Sequence, residues 1–293
     1  MLQLNGVSRF EVIAVALAPL SIPDFGGSML RGALGHALRH GYCSCGEAVK
    51  AHAEGCIYAT LFETGAGHAF VITPPAKQNV PEAGCFSFYI SLLETAPSIH
   101  AAFFHSLELA LLRGLGTDRV ACQVVAVMPI SAEFVPLQQQ VNIILTSPWF
   151  IKYQGRRVLA HQLTLANFLI ALTQRQRQLV KRGLLNAELP SNEQILDWAE
   201  QLDSQLDLSD VDGERWSNRQ HTKHQLSGCI GNIQIASNQK DGLKPLTALL
   251  YRAQWLHGGA KASFGLGALE LHPIALAQSQ VDHLQHFAIG AAQ

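Results

Sequence analysis

Twice along this chain of 293 residues a strand-like pattern gives way to a helical one, returns, and gives way again. Residues 7 to 20 alternate and then run apolar, through Val7, Phe10, Val12, Ile13 and Leu17, which is the patterning of a strand. Ile22-Pro23-Asp24-Phe25-Gly26-Gly27 reads as a turn, with Ser28 as the cap of a helix. On that helix Leu30, Ala33, Leu34, Ala37 and Leu38 share one side at a spacing of about 3.6. Phe86 to Leu93 predicts a second strand, Ser98 to Leu112 a second amphipathic helix, and Val120 to Val127 a third strand after the turn at Gly114-Leu115-Gly116. Helices interrupting strands in this order suit a ferredoxin-like sheet with its helices on one face.

The polar run Leu137-Gln138-Gln139-Gln140 marks a junction, after which the alternation repeats without detectable sequence repetition. Val141 to Thr146 reads as a strand ending in the turn Ser147-Pro148-Trp149. Leu165, Phe168, Leu169, Leu172 and Leu179 then make a helical stripe. An acidic stretch, roughly 186–214, reads as a partly helical insertion. Gly228 to Ile235 is strand-like, Pro245 to His257 is a helix with proline near its first turn, and Ala268 to Leu271 closes the pattern. The expected architecture is α+β, with a ferredoxin-like (RRM-like) domain over 1–136 and a second over 137–293 that carries the insertion and a Gly-rich loop at 257–267.

Composition sets outer limits. A formal net charge of −1 gives no global basic field, so any nucleic-acid contact must come from local patches. The longest apolar runs are too short to span a bilayer, and the first residues lack the basic start and apolar core of a signal peptide. The reading is a cytoplasmic protein with no membrane partner. Six cysteines do not make a disulfide framework at this length. Cys43, Cys45 and Cys56 lie close in sequence, with His52 among them. Two readings stand: a zinc site using those four, or free, partly buried thiols. The spacing is not one of the strong zinc patterns.

The end of the chain is the most suggestive local feature. His257-Gly258-Gly259-Ala260-Lys261-Ala262-Ser263-Phe264-Gly265-Leu266-Gly267 joins helix to strand with four glycines and a lysine. Exposed backbone N–H groups beside a lysine can cradle a phosphate. The alternative is a plain Gly-rich turn. Arg175, Arg177, Lys181 and Arg182 concentrate four cations on the face opposite the apolar stripe, to be read as a solvated face or as RNA-backbone contact. Arg215 and Arg219 flank Trp216, which is either a core residue or a stacking partner for a base.

At these residues the chain resembles the CRISPR RNA-processing endoribonucleases of the RAMP superfamily. The likeness is spread over most of the sequence. It includes Arg31-Gly32-Ala33-Leu34-Gly35-His36-Ala37-Leu38-Arg39, the segment Cys56 to Glu63, Gly114-Leu115-Gly116 with Arg119, and Thr146-Ser147-Pro148. Toward the C-terminus it includes Trp216-Ser217-Asn218-Arg219-Gln220, Leu226 to Gly231, and the terminal Gly-rich run. Two departures are visible. Ala260 precedes Lys261 where the family often has glycine, and many relatives carry a fuller cysteine set near the first helix. No zinc site is therefore carried over from the resemblance.

The resemblance implies tandem ferredoxin-like domains and a partner that is CRISPR repeat RNA, or the guide-RNA hairpin cut from it. It also implies cofactor-free cleavage by attack of a 2′-hydroxyl on the adjacent phosphate, leaving a 2′,3′-cyclic phosphate and a 5′-hydroxyl. Such chemistry needs a base, an acid and cations for the crowded phosphorane. A residue near the first helix is implied, which points to His36 or His40, four apart on one surface, with Arg31 or Arg39 as phosphate clamp. A solvated helix flank and a shared metal ion are the other readings of the histidine pair. Arg175, Arg177, Lys181, Arg182, Arg215, Arg219, His257, Gly258, Gly259, Lys261 and Ser263 are the expected RNA contacts. A non-catalytic subunit of the same superfamily, holding a guide-RNA end among the other subunits of an effector complex, is the competing function.

Overall fold

A computed structural model of the chain describes residues 6–45, 52–62, 68–93, 97–131, 134–153, 156–217 and 222–274, with the side chains of 153, 214–217 and 222–226 outside the description. In order, the first half contains β1 (Val7–Ala16), β2 (Leu20–Ile22), α1 (Gly26–Tyr42), α2 (Ile57–Phe62), β3 (Phe70–Thr73), β4 (Gln78–Val80), β5 (Cys85–Leu93), α3 (Pro97–Arg113) and β6 (Cys122–Ile130). The antiparallel sheet runs β3-β5-β1-β6, with β2 and β4 paired apart from it. The second half contains β7 (Gln140–Trp149), β8 (Lys152–Tyr153), β9 (Arg156–Arg157), α4 (Leu165–Lys181), α5 (Asn192–Gln201), β10 (Asp203–Ser217), β11 (Thr222–Ala236), α6 (Thr247–Leu256) and β12 (Leu269–Pro273). Its sheet runs β10-β11-β7-β12, again antiparallel. Both halves thus place the last strand beside the first and the third strand on the first strand's other side. This is the expected α+β tandem of ferredoxin-like folds.

The two faces of β1 divide the labour. Val12, Ala14 and Ala16 enter a core with Leu30, Leu34 and Leu38 of α1 and Phe103, Leu107 and Leu111 of α3. Val7 and Arg9 point the other way, because strand neighbours alternate. Val7 and its partner Leu93 join Val71 in the core of the second half, with Tyr251 and Trp255 of α6. Part of the helix-free face of the first sheet is therefore spent on docking the second domain. Arg9, only 8% exposed, fastens that junction. It donates to the Gln254 carbonyl at 3.2 Å and to Ser91 Oγ and Thr73 Oγ1, each at 3.4 Å, and stacks over Tyr89.

Three local expectations are corrected. Gly26 and Gly27 are the first helical residues of α1 rather than a turn, and Ser28 lies inside the helix. A Cβ on Gly27 would stand 2.5 Å from the Phe264 carbonyl oxygen, so the helix start is shaped by close approach of the terminal loop. Ser147-Pro148-Trp149 completes β7 instead of turning: Trp149 is buried against Phe168, and Ser147 Oγ accepts the Ala268 amide at 2.9 Å. The acidic stretch is not an insertion over its second part. Residues 203–217 are β10, the edge strand, with Leu206 and Leu208 on the core side. Arg157 pairs with Asp210 at 2.8 Å and Asp212 at 2.9 Å, absorbing the charge that made the segment look solvated.

Two substitutions on α1 separate close packing from helix propensity. Gly32 has nothing within 4 Å of an added Cβ, so Gly32→Ala should stabilise the protein by roughly 0.5–1 kcal/mol. Gly27→Ala forces the terminal loop away and should destabilise it by about 1–3 kcal/mol. Urea denaturation of the two variants checks the opposite signs.

Candidate functional site

A cleft of about 410 Å³ opens where the two domains and the terminal loop meet. Its walls are His68, just before β3, Ile151 and Lys152, one side of α4 with Gln174, Arg175 and Gln178, and the loop from Gly259 to Phe264. The loop is bent at Gly259, at Lys261 (φ 65°) and at Gly265. A lysine in the left-handed region is strained by about 1–3 kcal/mol and persists only where its surroundings hold it. Here Ala260 N–H bonds the Phe150 carbonyl at 2.8 Å, and the Lys261 ammonium lies 4.5 Å from the Phe150 ring centroid.

Arg175 is the unusual member. It is 5% exposed, and its Nε and Nη2 have no hydrogen-bond partner among the described residues. Burial first, and then Arg182, lower its pKa to about 10. A guanidinium remains charged there, and a buried charge with unanswered donors is costly unless an anion meets it. Arg31 reaches the same region from α1. Its guanidinium lies between two rings, 4.7 Å from Phe62 and 4.6 Å from Phe264. His68 hydrogen-bonds the Leu61 carbonyl through Nδ1 at 3.0 Å, which makes Nε2 the acceptor nitrogen of its neutral ring. Burial, Arg31, Arg175 and Arg182 push its pKa down to about 4.

The expected site residues separate into groups. His36 and His40 are exposed and stacked, their centroids 4.1 Å apart, and His40 Nδ1 bonds the His36 carbonyl. Burial, His40, Arg113 and Arg119 lower the His36 pKa, which puts this pair on the α3 flank of α1. Arg31 and Arg39 lie on the other flank, where Arg39 stands over Tyr58. The four residues do not converge on one point.

The basic patch on α4 also divides. Lys181 and Arg182 are exposed, but Arg175 is buried at the cleft, so the four cations do not form a single solvated face. Arg177 is engaged with Asn192 Oδ1 and the Pro190 carbonyl, tying α4 to the segment before α5. Lys261, Ser263 and Gly259 do line the cleft. His257 and Gly258, expected as RNA contacts, are buried and do not line the cleft. His257 is wholly buried, and a Cβ on Gly258 would strike Trp149 and Leu172. Arg215 and Trp216 lie in β10 with their side chains outside the description, and Arg219 lies outside the described residues. The cysteine–histidine group is assembled: one ligand atom each from Cys43, Cys45, His52 and Cys56 all lie within 4.8 Å of one another.

Residues 143–269 match the family model of the CRISPR-associated endoribonuclease Cas6. Over its second half the chain is thus similar to that family. Residues 4–146 match the model of an N-terminal domain family, AF_1859_N, so the two matches together span both sheets. No curated protein matches the chain. Among solved structures, a Cas6 product complex aligns with a TM-score of 0.59 at 12% identity, covering 91% of this chain and 100% of that one. Thermus thermophilus Cas6 aligns with a TM-score of 0.56 at 12% identity, covering 91% and 98%. A Cas6-related protein from Pyrococcus furiosus aligns with a TM-score of 0.55 at 13% identity, covering 92% and 100%. At these identities the likeness concerns the fold, which is that of Cas6 along nearly the whole chain. Among the described residues no helix is long and apolar enough to cross a membrane.

His68 was not among the residues singled out by motif. Its only sequence signal is a histidine just before a strand, behind the aromatic segment Tyr58 to Phe62. His257, conversely, stood out in the Gly-rich run and proves to be a support. Its Nδ1–H donates to the Leu266 carbonyl at 3.0 Å, and Nε2 accepts from Thr73 Oγ1 at 2.8 Å, linking the domains. Burial, Arg9 and Arg175 lower its pKa to about 3.

These two histidines set a pH dependence of stability. Both are neutral when folded, and both protonate near the ordinary 6.5 when unfolded. The stability they contribute is complete above that value and is lost as pH falls toward about 4 for His68 and about 3 for His257. The urea midpoint should fall between about pH 7.5 and about pH 4.5, and His257→Gln should flatten the slope by about one proton, or about 1.4 kcal/mol per pH unit.

Proposed function

We propose that this chain cuts CRISPR repeat RNA in the interdomain cleft by attack of a 2′-hydroxyl on the neighbouring phosphate, with no metal needed. The observation that carries the proposal is Arg175, a buried cation with unanswered donors on the wall of a cleft in a Cas6-family fold. A phosphodiester is the anion that such a family would bring to it. Lys261 and Lys152 add charge at the same cleft, and Ser263 adds a hydroxyl. Arg31, held between Phe62 and Phe264, supplies a planar fork suited to a phosphate. Side-chain cations thereby take the stabilising part that a metal plays in other phosphoryl chemistry.

In the proposed reaction a base removes the 2′-hydroxyl proton as the 2′-oxygen bonds to phosphorus. The phosphorus–O5′ bond breaks, and the 5′-oxygen takes up a proton from water. The products are a 2′,3′-cyclic phosphate and a 5′-hydroxyl. His68 is the assigned base, because its ring lines the cleft beside the cations. Burial first, and then three arginines, depress its pKa in the RNA-free protein. A bound phosphodiester offsets that field and raises the pKa toward the range where a general base works best. A second reading keeps the stacked pair: His36 and His40 are exposed, with Arg113 and Arg119 close enough to perturb His36, so RNA crossing the α3 flank of α1 could meet them. The product hairpin is expected to stay bound to Lys261 at the cleft and to Lys181 and Arg182 at the end of α4.

Cleavage of a labelled repeat RNA from the same genome should proceed in EDTA and cease when the scissile nucleotide is 2′-deoxy. His68→Ala should lower the single-turnover rate by about 10²–10⁴-fold, with His36→Ala and His40→Ala near wild type. The reverse pattern would move the base to the stacked pair. Tight binding without any cut would replace the nuclease by a guide-holding subunit. Arg175→Met should leave the RNA-free protein as stable or more so, by up to about 1–4 kcal/mol. The same variant should weaken RNA binding and reduce the slope of log affinity against log salt by about 0.7–0.9.

A further inference from the structure

We propose that Cys43, Cys45, His52 and Cys56 bind one structural zinc ion that joins the end of α1 to the start of α2. The four ligand atoms come from the two helix ends. Cys43 is the residue after α1, in extended conformation, and Cys56 immediately precedes α2. A turn closed by Cys56 N–H to the Ala53 carbonyl carries His52 back between them. Cys43 Sγ lies 3.3 Å from His52 Nδ1, Cys56 Sγ lies 3.7 Å from the same nitrogen, and the whole set falls within 4.8 Å. A tetrahedral zinc with ordinary bond lengths needs ligand–ligand edges of about 3.6–3.8 Å, so only small side-chain adjustments are required.

The donor set is chemically selective. Three thiolates and one imidazole make a closed, soft site that suits zinc and disfavours magnesium or calcium. The Ala53 amide donates to Cys45 Sγ at 3.3 Å, an N–H···S bond of the kind that orients and stabilises a metal thiolate. The other three cysteines are elsewhere: Cys122 and Cys229 are buried, and Cys85 is exposed on β5. The clustering is thus confined to the four residues.

The consequence for the fold is local and specific. α2 has six residues, too few to be stable by itself, yet much depends on it. Phe62 fills the notch over Gly35, where a Cβ would come within 2.7 Å of the ring, and it carries Arg31 on its face. Tyr58 stacks on Phe62 and lies beneath Arg39, and the Leu61 carbonyl holds His68. Zinc at the start of α2 would brace the scaffold behind the cleft. Only this last consequence rests on the proposed function; metal binding itself does not.

The full-length protein, purified under reducing conditions from zinc-supplemented cells, should contain one zinc per chain by elemental analysis. Cobalt should replace it with the ligand-field and sulfur-to-cobalt charge-transfer bands of a tetrahedral site with three sulfurs. Cys45→Ser and Cys56→Ser should lose stoichiometric metal, whereas Cys85→Ser should keep it. Chelation should lower the melting temperature of the wild type, with recovery on adding zinc but not magnesium. Because a serine variant can fail to fold, cobalt titration of the wild-type protein decides independently. Absence of thiolate bands there, or equal zinc in Cys56→Ser and the wild type, would overturn the site. Cleavage of RNA by a zinc-free protein would leave the nuclease reading intact.

Discussion

The start of α1 and the turn at Phe264 and Gly265 touch backbone to backbone. At Gly27 a Cβ would sit 2.5 Å from one carbonyl oxygen and 2.7 Å from the next Cα, so the contact exists only because the side chain is a hydrogen atom. This approach lets one loop belong to both domains. On one side it covers the N-terminal end of α1, and on the other it bonds through Ala260 and Gly267 to Phe150 and Pro148 at the end of β7. The cleft is what remains beside that crossing, so its shape follows from the glycines more than from the residues that line it.

His257 shows how the crossing is locked. A histidine at φ 59° is in a region that non-glycine residues occupy at a cost of about 1–3 kcal/mol. Two ring hydrogen bonds hold it there. One goes to Leu266 across the loop and one to Thr73 in the other domain, and Thr73 also accepts from Arg9. Arg9 continues the connection to the Gln254 carbonyl on α6. A chain of polar groups therefore runs through the apolar junction made by Val7, Leu93, Tyr251 and Trp255. Apolar contact alone fixes neither register nor orientation; the buried polar chain selects one docking geometry, because any other leaves its members unsatisfied.

The fold was legible in the sequence where periodicity reports burial directly. The stripe on α1 and the alternation of β1 place the core correctly, since Leu30, Leu34, Leu38, Val12 and Ala14 are all interior. β10 was not legible, because an edge strand facing water on one side carries polar alternation, and its aspartates mimic a solvated segment. Their register against β11 places Asp210 and Asp212 in a sheet, and Arg157, about fifty residues earlier, pairs with both. The candidate site was less legible for the same reason. Four cations on α4 look alike in sequence, yet Arg175 faces a cleft, Arg177 braces a neighbouring segment, and Lys181 and Arg182 meet solvent. Whether a cation is a ligand, a brace or a surface charge depends on what packs against it from distant parts of the chain. His68 carries no motif for that reason, and the cysteine group shows no strong zinc spacing because its four residues come from two helix ends instead of a compact knuckle.

Arg175 and α2 show where this chain gives up stability in the RNA-free state. An apolar side chain at 175 would fill the same wall without an unanswered guanidinium, and a longer α2 would need no brace. Both features make sense if the cleft is built around an absent anion. On the proposed reading, the buried donors lose little to water beforehand and would meet a phosphate in a low-dielectric setting where their attraction is strong. The aromatic pair Phe62 and Phe264 serves the same end, because the two rings flank the guanidinium of Arg31 and restrict its orientation. Among the described residues that line the cleft the charged ones are Lys152, Arg175 and Lys261, all positive. A site of this kind is least stable when empty, and binding and folding of the domain junction become coupled through it.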